Sequence, residues 1–368
     1  MTTLLATAPG ATIIFAVNQD LTYITLSTLV SLVTNTIYNA TQRMFFATIN
    51  AALAAANDYD RILIFPGTYI QDTEIQITRP LTLQGFTAAS TLIQFSSPLV
   101  RGLYIASDDV SIENLYLFGP TTSDDNNWLF QIALKAFPSD FYNHINISGC
   151  IIAGGKRNGF IYASNLSIVG CTFIHSGTES SLNVVATQQR ALFAGNTFIG
   201  GAASKACVIY ETGGNENTTG TIIVRDNSME SFSQFVLFNT SLWQNVEQVL
   251  VKNNKIDHQA RSGNSVIILP IADFAQIVSI MIENNVVVNT NINRLAVLLD
   301  YRFGGSAIPG FEQIKVFYNL LDVAKPWGAT GYQVDPNYPI GFSTLAPVGL
   351  TLDVFEVVGN VVPVTPTP

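Results

Sequence analysis

The chain has 368 residues, of which 48% are hydrophobic and only 12% are charged, and its formal net charge is −9. The acidic balance and the lack of a basic run argue against nucleic-acid binding. No apolar stretch reaches the roughly 18 residues that span a bilayer. Soluble domains usually contain about 25% charged residues. With so few charges, either the surface of the protein consists largely of Thr, Ser, Asn and Gln, or part of it is buried against other subunits.

The first 44 residues are apolar and rich in β-forming residues, with Asp20 as their only acidic residue and Arg43 as their first basic one. No Lys or Arg precedes the apolar part, so this segment is not a convincing signal peptide. An apolar, β-prone arm is an aggregation hazard for a monomer. We therefore predict that residues 1–44 are an arm for assembly or anchoring.

Residues 45–57, FFATINAALAAAN, carry the strongest helical pattern in the chain. The segment is rich in Ala, and its apolar residues Ile49, Ala52, Leu53 and Ala56 fall on one stripe. The sequence predicts an amphipathic helix that caps the N-terminal end of the following domain, where a strand edge would otherwise be open.

From residue 61 the chain reads RILIFPGTYIQDTEIQITRPLTLQGF, with short strands and turns and no room for a helix between them. A pattern of alternating apolar residues, a corner and a second apolar run recurs ten times. The corner residue is Gly, Asn or Asp in nine cases, and these residues tolerate positive φ; the exception is Tyr318. Such repeats bury their apolar face only by stacking. The residues after the corners, which we call ladder positions, are Phe86, Leu115, Cys150, Cys171, Asn196, Asn227, Asn254, Asn285, Asn319 and Asn360.

The six asparagines at one offset predict a stack of buried amides. Equivalent side chains on adjacent strands lie about 4.8 Å apart, which allows amides to hydrogen-bond from coil to coil. The alternative is that Asn only marks turns. Cys150 and Cys171 would occupy adjacent ladder positions as small buried thiols, with a disulfide between them as a second option.

These features, carried by the helix at 45–57, the segment from residue 61 to 86 and the ladder from Phe86 to Asn360, resemble the pectin-lyase-like right-handed parallel β-helix superfamily. The resemblance implies an all-β, single-stranded, right-handed parallel β-helix of about ten rungs over residues 45–362, with a Pro/Thr tail at 363–368. That superfamily includes polysaccharide lyases, glycoside hydrolases, epimerases, phage tailspikes and non-catalytic surface proteins. The resemblance therefore leaves the function open.

The catalytic motifs of three enzyme groups of this superfamily are not found in the chain. The calcium-binding carboxylates of pectate lyases, the NTD, GHG and RIK motifs of polygalacturonases and the pectin-esterase patterns all lack a match. The three histidines have no metal-ligand spacing, so no cofactor or metal is predicted. His144 and His258 lie beside Asn-rich turns and are expected to be structural or exposed.

A motif-free site is conceivable in the loop 118–130 and in the loops of the next two coils. Paired carboxylates beside a cation can act as general acid and base, and an aromatic ring can stack on a sugar. The competing interpretation is that these are ordinary loop charges that pair between coils. The candidate catalytic residues are Asp124, Asp125, Lys156, Arg157, His175 and Glu179, with Trp128 as the candidate sugar-stacking residue.

Two functions are consistent with these observations. The first is a structural component without catalytic activity, such as a capsid-associated or spike-like protein of a virion, or part of a comparable extracellular coat. Its partners would be other copies of itself, with a trimer as first choice by resemblance to tailspikes, or other shell proteins. The alternative is a polysaccharide-degrading enzyme, a lyase or a tailspike-type glycoside hydrolase, that binds a glycan through loops on one face.

Overall fold

The fold is a parallel β-helix, in which successive coils stack strand on strand. This agrees with the all-β prediction. The computed structural model describes residues 12–17, 20–25, 35–96, 101–119, 127–136, 140–201, 204–211, 218–239, 243–257, 267–270, 277–290, 297–300, 313–323, 332–333, 340–342 and 355–361. The predicted tail at 363–368 lies outside these residues.

Three rows of stacked strands form the walls of the coil. The first and second rows belong to one 22-stranded sheet, because Arg157–Val169 and Leu182–Ala194 run through both rows, and the third row is a separate 10-stranded sheet. The first row also contains Ile75–Ile77, Arg101–Ile105, Trp128–Ile132, Ala206–Glu211, Gln234–Asn239, Ile267–Pro270, Val297–Asp300 and Ile340–Phe342.

The second row contains Asp60–Ile64, Leu81–Gly85, Val110–Glu113, Asn143–Ser148, Thr218–Arg225, Trp243–Lys252, Ile277–Glu283, Gln313–Phe317 and Phe355–Val358. The third row contains Gly67–Gln71, Thr91–Phe95, Tyr116–Gly119, Ile151–Gly154, Thr172–His175, Thr197–Gly200, Ser228–Glu230, Lys255–Asp257, Val286–Thr290 and Leu320–Val323. Two short antiparallel additions are Leu134–Ala136 with Asp140–Phe141, and Tyr332–Gln333 on Ile340–Phe342.

Alternation of apolar residues directs one side of each strand into the coil. In the second row, Leu83, Ile112 and Ile147 are in register on consecutive strands, and each is at most 1% exposed. The period of two along a strand places alternate side chains on opposite faces. The interior is therefore a continuous apolar stack, and the intervening side chains form the outer surface.

The N-terminal helix is shorter than predicted. It spans Ile49–Ala55, and Thr48 is its N-cap, whose side chain accepts a hydrogen bond from the Ala51 N–H. The predicted start at residue 45 is wrong because Met44–Phe46 form a strand, and the cap at Thr48 fixes where the helix begins. The apolar stripe is confirmed, since Ile49, Ala52, Leu53 and Ala56 are all buried.

Residues 37–46 cover the first strand of the coil, although the sequence assigned residues 1–44 to a separate arm. Ile37–Asn39 pairs antiparallel with both Met44–Phe46 and Asp60–Ile64, which occupies an edge that would otherwise be open. The buried Asp60 accepts hydrogen bonds from the Asn39 side chain and the Asn57 N–H, both at 2.7 Å. Burial opposes its charge, but these bonds hold the pKa of Asp60 below its usual value.

The earlier part of the predicted arm forms a β-hairpin. Thr12–Val17 and Asp20–Thr25 pair antiparallel, in register from Thr12 opposite Thr25 to Val17 opposite Asp20. Within the described residues, these two strands form a sheet of their own. The β-forming character that the sequence predicted for this segment is confirmed.

The asparagine ladder is confirmed. All six asparagines are at most 7% exposed. From Asn227 onwards, each Oδ1 accepts hydrogen bonds from both the backbone N–H and the Nδ2 of the preceding ladder asparagine, as in the two 3.0 Å bonds from Asn227 to Asn254. The first member, Asn196, accepts from the Cys171 N–H at 2.9 Å. The ladder therefore ties successive corners together with hydrogen bonds shielded from water.

The corners adopt the predicted backbone conformation at all positions except one. Nine of the ten predicted corner residues have positive φ, including Tyr318 at 57°, but Gly85 does not. Gly85 ends a strand instead, and a Cβ there would lie 2.2 Å from the Asn114 carbonyl oxygen, so the glycine permits close approach of two coils. The ladder assignment of Phe86 is wrong, since it is 44% exposed in a wider turn that leads to Thr91–Phe95.

The two ladder cysteines are free thiols rather than a disulfide. Both are 1% exposed, and their Sγ atoms contact main-chain carbonyls, that of Cys150 with Ile112 at 3.7 Å and that of Cys171 with Ile147 at 3.5 Å. The hydrogen bond with Cys171, together with burial, raises the pKa of the Cys150 thiol. These cysteines are therefore inert space-filling residues of the stack.

Candidate functional site

The loops that lead from the third row into the first row of the next coil bring most of the predicted site residues together. Asp124 and Asp125 lie outside the described residues. The strands that begin near Trp128 and Arg157 are adjacent, and these two residues are in register. The N–H groups of Lys156 and Arg157 donate to the Asn127 carbonyl at 3.1 and 3.2 Å, so the residues that lead into these two strands are also hydrogen-bonded to each other.

Glu179 lies between two cationic side chains. Its Oε2 is 3.8 Å from Arg157 Nη2 and 2.9 Å from Lys205 Nζ. Lys205 was not predicted from the sequence; it follows Glu179 one coil later and donates its backbone N–H to the Glu179 carbonyl at 3.1 Å. The carboxylate thus forms ion pairs with cations on the coils before and after it, as expected for loop charges that pair between coils.

His175 lies beneath the loop rather than on its surface. The side chain is 1% exposed, and Nε2 is 2.8 Å from the Glu179 carbonyl oxygen, so Nε2 carries the proton that it donates. Nδ1 is buried without a hydrogen-bond partner among the described residues. Burial lowers the pKa of His175 to about 4, against the opposing effect of the bond to the Glu179 carbonyl. The imidazole is therefore neutral at pH 7.

This buried histidine makes the protein less stable in acid. Its folded-state pKa of about 4 lies below the ordinary histidine value of 6.5, so the unfolded chain binds the proton more tightly. The neutral, buried His175 makes its full contribution to the free energy of unfolding above pH 6.5, and this contribution is lost as the pH falls towards 4. We expect wild type to lose about 2 kcal/mol more than His175→Gln between pH 7 and pH 4.5, measured by urea unfolding. Parallel pH curves for the two proteins would contradict this result.

The outer face of the first row carries planar side chains on consecutive strands. The rings of Trp128 and Phe160 stack with centroids 4.3 Å apart and planes 12° apart. The Arg101 guanidinium lies 4.2 Å from the centroid of Tyr104 and donates to Gln131 Oε1 at 3.1 Å. Tyr104, Gln131 and Phe160 are in register. One face of the predicted sugar-stacking Trp128 is thus covered by Phe160.

The aromatic residues continue towards the corner that joins the first and second rows. Tyr162 meets Phe160 edge-on at 5.5 Å and stacks on Phe141 at 6.3 Å. We call Tyr104, Trp128, Phe160 and Tyr162 the aromatic band. All four side chains are half-buried. Of these four residues, only Trp128 was predicted from the sequence, although the alternation with Ile161 also directs Phe160 and Tyr162 outwards.

No described helix is long and apolar enough to cross a membrane. Within the described residues, no three or more His, Cys, Asp or Glu side chains are grouped so that they could hold a metal ion.

Comparisons with known proteins give little guidance on function. No family model and no curated protein matches the chain. Among solved structures, a PL6-family alginate lyase, AlyGC, is similar, with 14% sequence identity and a TM-score of 0.31. The match covers 85% of this chain and 52% of the lyase, so the chain spans about half the length of that enzyme. At this level of similarity the match assigns no activity to this chain.

Proposed function

We propose that this protein is a β-helical surface protein that binds polysaccharide along the outer face of its first row. The observation that carries the proposal is the aromatic band, which lies beside the Arg101 guanidinium and the Gln131 amide. Sugars present apolar C–H surfaces together with hydroxyl groups, and aromatic rings flanked by planar polar groups complement both.

The geometry of the band suits an extended polymer better than a small molecule. Adjacent strands repeat at about 4.8 Å, and the band runs over three consecutive coils, from Tyr104 through Trp128 to Phe160. A chain of sugars laid along the coil axis would meet equivalent outward positions in turn. Binding energy would then come from many weak contacts rather than from one deep pocket.

We propose further that the described loop residues do not cleave this polymer. Glu179 is held between Arg157 and Lys205, and His175 is buried and neutral. A general acid or base must reach the proton that it transfers. These features favour a structural surface component, such as a capsid-associated or spike-like protein of a virion or part of a comparable extracellular coat.

A panel of neutral and acidic polysaccharides tests the binding proposal. We expect the full chain to bind at least one of them, and Phe160→Ala to weaken that binding about tenfold through loss of ring contacts. Phe118→Ala is the matched control, because Phe118 is an exposed aromatic on the third row. Equal loss in both variants would place the contact elsewhere, and failure to bind any polysaccharide would overturn the proposal.

Polysaccharide cleavage is the second candidate function. It is favoured by the position of Asp124 and Asp125 in the sequence, three and two residues before Asn127, because the Asn127 carbonyl accepts hydrogen bonds from the N–H groups of the two cationic residues Lys156 and Arg157. The test is product formation from pectate, alginate and neutral polysaccharides, with and without Ca²⁺. Turnover that is lost in Asp124→Asn or Asp125→Asn, and kept in the control Asp226→Asn, would replace the non-catalytic proposal.

Assembly is the remaining part of the proposal. The hairpin of Thr12–Val17 and Asp20–Thr25 is a two-stranded sheet within the described residues, and such a sheet is marginal alone in water. Strand addition to a neighbouring subunit would satisfy its edges. We propose self-association through this hairpin, with a trimer as the first choice and attachment to other shell proteins as the alternative.

A further inference from the structure

A cleft opens at the corner between the first and second rows, beyond the end of the aromatic band. It has a volume of about 410 Å³ and is lined by Asp108, Asp109, Lys135, Asp140, His144 and Ser164, among others. Phe141, which stacks on Tyr162 of the band, also lines it. The cleft is therefore continuous with the proposed polysaccharide face.

The backbone of this corner is fixed by a second column of residues in the left-handed conformation. Asp109, His144, Asn165 and Gln189 have φ values between 51° and 58°. The Asn165 amide donates to Asn143 Oδ1 at 2.9 Å and to Gln189 Oε1 at 2.5 Å. Side chains on successive coils thus hold this wall of the cleft in place before any ligand binds.

The charged groups of the cleft give it an excess of negative charge. Lys135 Nζ lies 3.2 Å from Asp108 Oδ2, and His144 Nδ1 lies 3.0 Å from Asp109 Oδ1. Asp140 adds a third carboxylate. Three carboxylates facing one lysine and one histidine disfavour an anionic ligand, and they offer acceptors to a ligand rich in hydroxyl donors.

The floor of the cleft contains a hydroxyl that lacks a hydrogen bond. Ser164 is 4% exposed, and its Oγ has no partner among the described residues. Its backbone N–H is satisfied by the Tyr142 carbonyl at 2.8 Å. A buried hydroxyl without a partner is unfavourable, and because this Oγ is also closed to solvent, a polar ligand in the cleft would supply a partner once the side chains around Ser164 move.

We propose that this cleft binds one neutral sugar unit of the polysaccharide. Sugar hydroxyls donate to the Asp108, Asp109 and Asp140 carboxylates, and sugar oxygens accept from Lys135 and the Ser164 hydroxyl. The excess negative charge selects neutral sugars over uronic acids. The inference rests on the proposed polysaccharide binding, and it adds the place and the charge class of the ligand.

Titration of the full chain with malto-, cello- and manno-oligosaccharides, and with oligogalacturonate and oligoalginate, tests the inference. We expect binding of a neutral series only, and about fivefold or greater weakening in both Ser164→Ala and Asp109→Asn. Ser164→Ala removes a group that makes no hydrogen bond within the described structure, so its thermal stability should equal or exceed that of wild type. Asp226→Asn, on another corner, is the control and should bind normally.

Each outcome separates this inference from the proposal on which it rests. If Phe160→Ala weakens binding and both cleft variants bind normally, the cleft assignment is wrong and the proposed function stands. Preference for the uronate oligomers would also overturn the cleft assignment. If the wild-type chain binds neither these oligosaccharides nor the polysaccharide panel, the proposed function fails and the inference fails with it.

Discussion

Replacing Asn254 by leucine is expected to lower the free energy of unfolding by at least about 3 kcal/mol. Asn254 Oδ1 accepts two hydrogen bonds from Asn227, one from its N–H and one from its Nδ2, both at 3.0 Å. Its own amide donates to the Val224 carbonyl at 3.0 Å and to Asn285 Oδ1 at 2.9 Å. Leucine has a similar volume and no polar atoms, so it leaves two donors and two acceptors buried without these partners.

Asn253→Gly is the matched control for this substitution. Asn253 precedes the ladder residue, is exposed, and has φ of 55°, a conformation that glycine adopts without strain. Its side chain makes one exposed hydrogen bond to Asp226 at 3.1 Å, so the control should cost less than about 1 kcal/mol. Urea unfolding at neutral pH measures both. Equal costs for the two variants would mean that the buried ladder contributes no more than an exposed turn residue.

Removing residues 1–34 is expected to convert the assembled protein into a folded monomer, which light scattering would detect as a loss of mass greater than the deleted residues. The reason is that the deletion removes the hairpin of Thr12–Val17 and Asp20–Thr25, which we propose as the contact between subunits. It keeps Ile37–Asn39, which covers the strand Asp60–Ile64.

A deletion that starts the chain at Met44 is the contrasting variant. It also removes Ile37–Asn39 and the hydrogen bond from Asn39 to Asp60. The edge of Asp60–Ile64 is then exposed. Exposed strand edges promote aggregation, so this protein should aggregate rather than form a monomer. A full-length chain that is already monomeric, or a chain from residue 35 that assembles like wild type, would contradict the proposed role of the hairpin.

The repeat could be predicted from the sequence because each corner requires positive φ at the same position of the repeat. A corner needs a residue that tolerates positive φ, usually Gly, Asn or Asp, and the ladder residue after it must be buried and is usually Asn or Cys. This pair can be recognised although the loops between corners differ in length. At two corners, the type of residue alone gives the wrong prediction for the sign of φ. Tyr318 adopts positive φ although its side chain disfavours it, and Gly85 does not, because contacts between coils outweigh the local preference.

The candidate site was predictable only in part. Stacking of the loops follows from the repeat, and it brings Arg157 to Glu179. The burial of His175 could have been found by counting in twos from Phe173 along Thr172–His175. The cleft around Ser164 has no sequence signal, because Asp109, His144 and Gln189 adopt positive φ without glycine to mark the corner.

The most direct test of polysaccharide binding along the first row uses Trp128 as a reporter. The chain has three tryptophans, so Trp243→Phe combined with Trp327→Phe leaves Trp128 alone, stacked on Phe160. We expect its fluorescence to change saturably as the tightest-binding polysaccharide of the panel is added, with the same midpoint as binding measured by sedimentation. Sedimentation that shows binding while the emission of Trp128 stays constant would contradict the account.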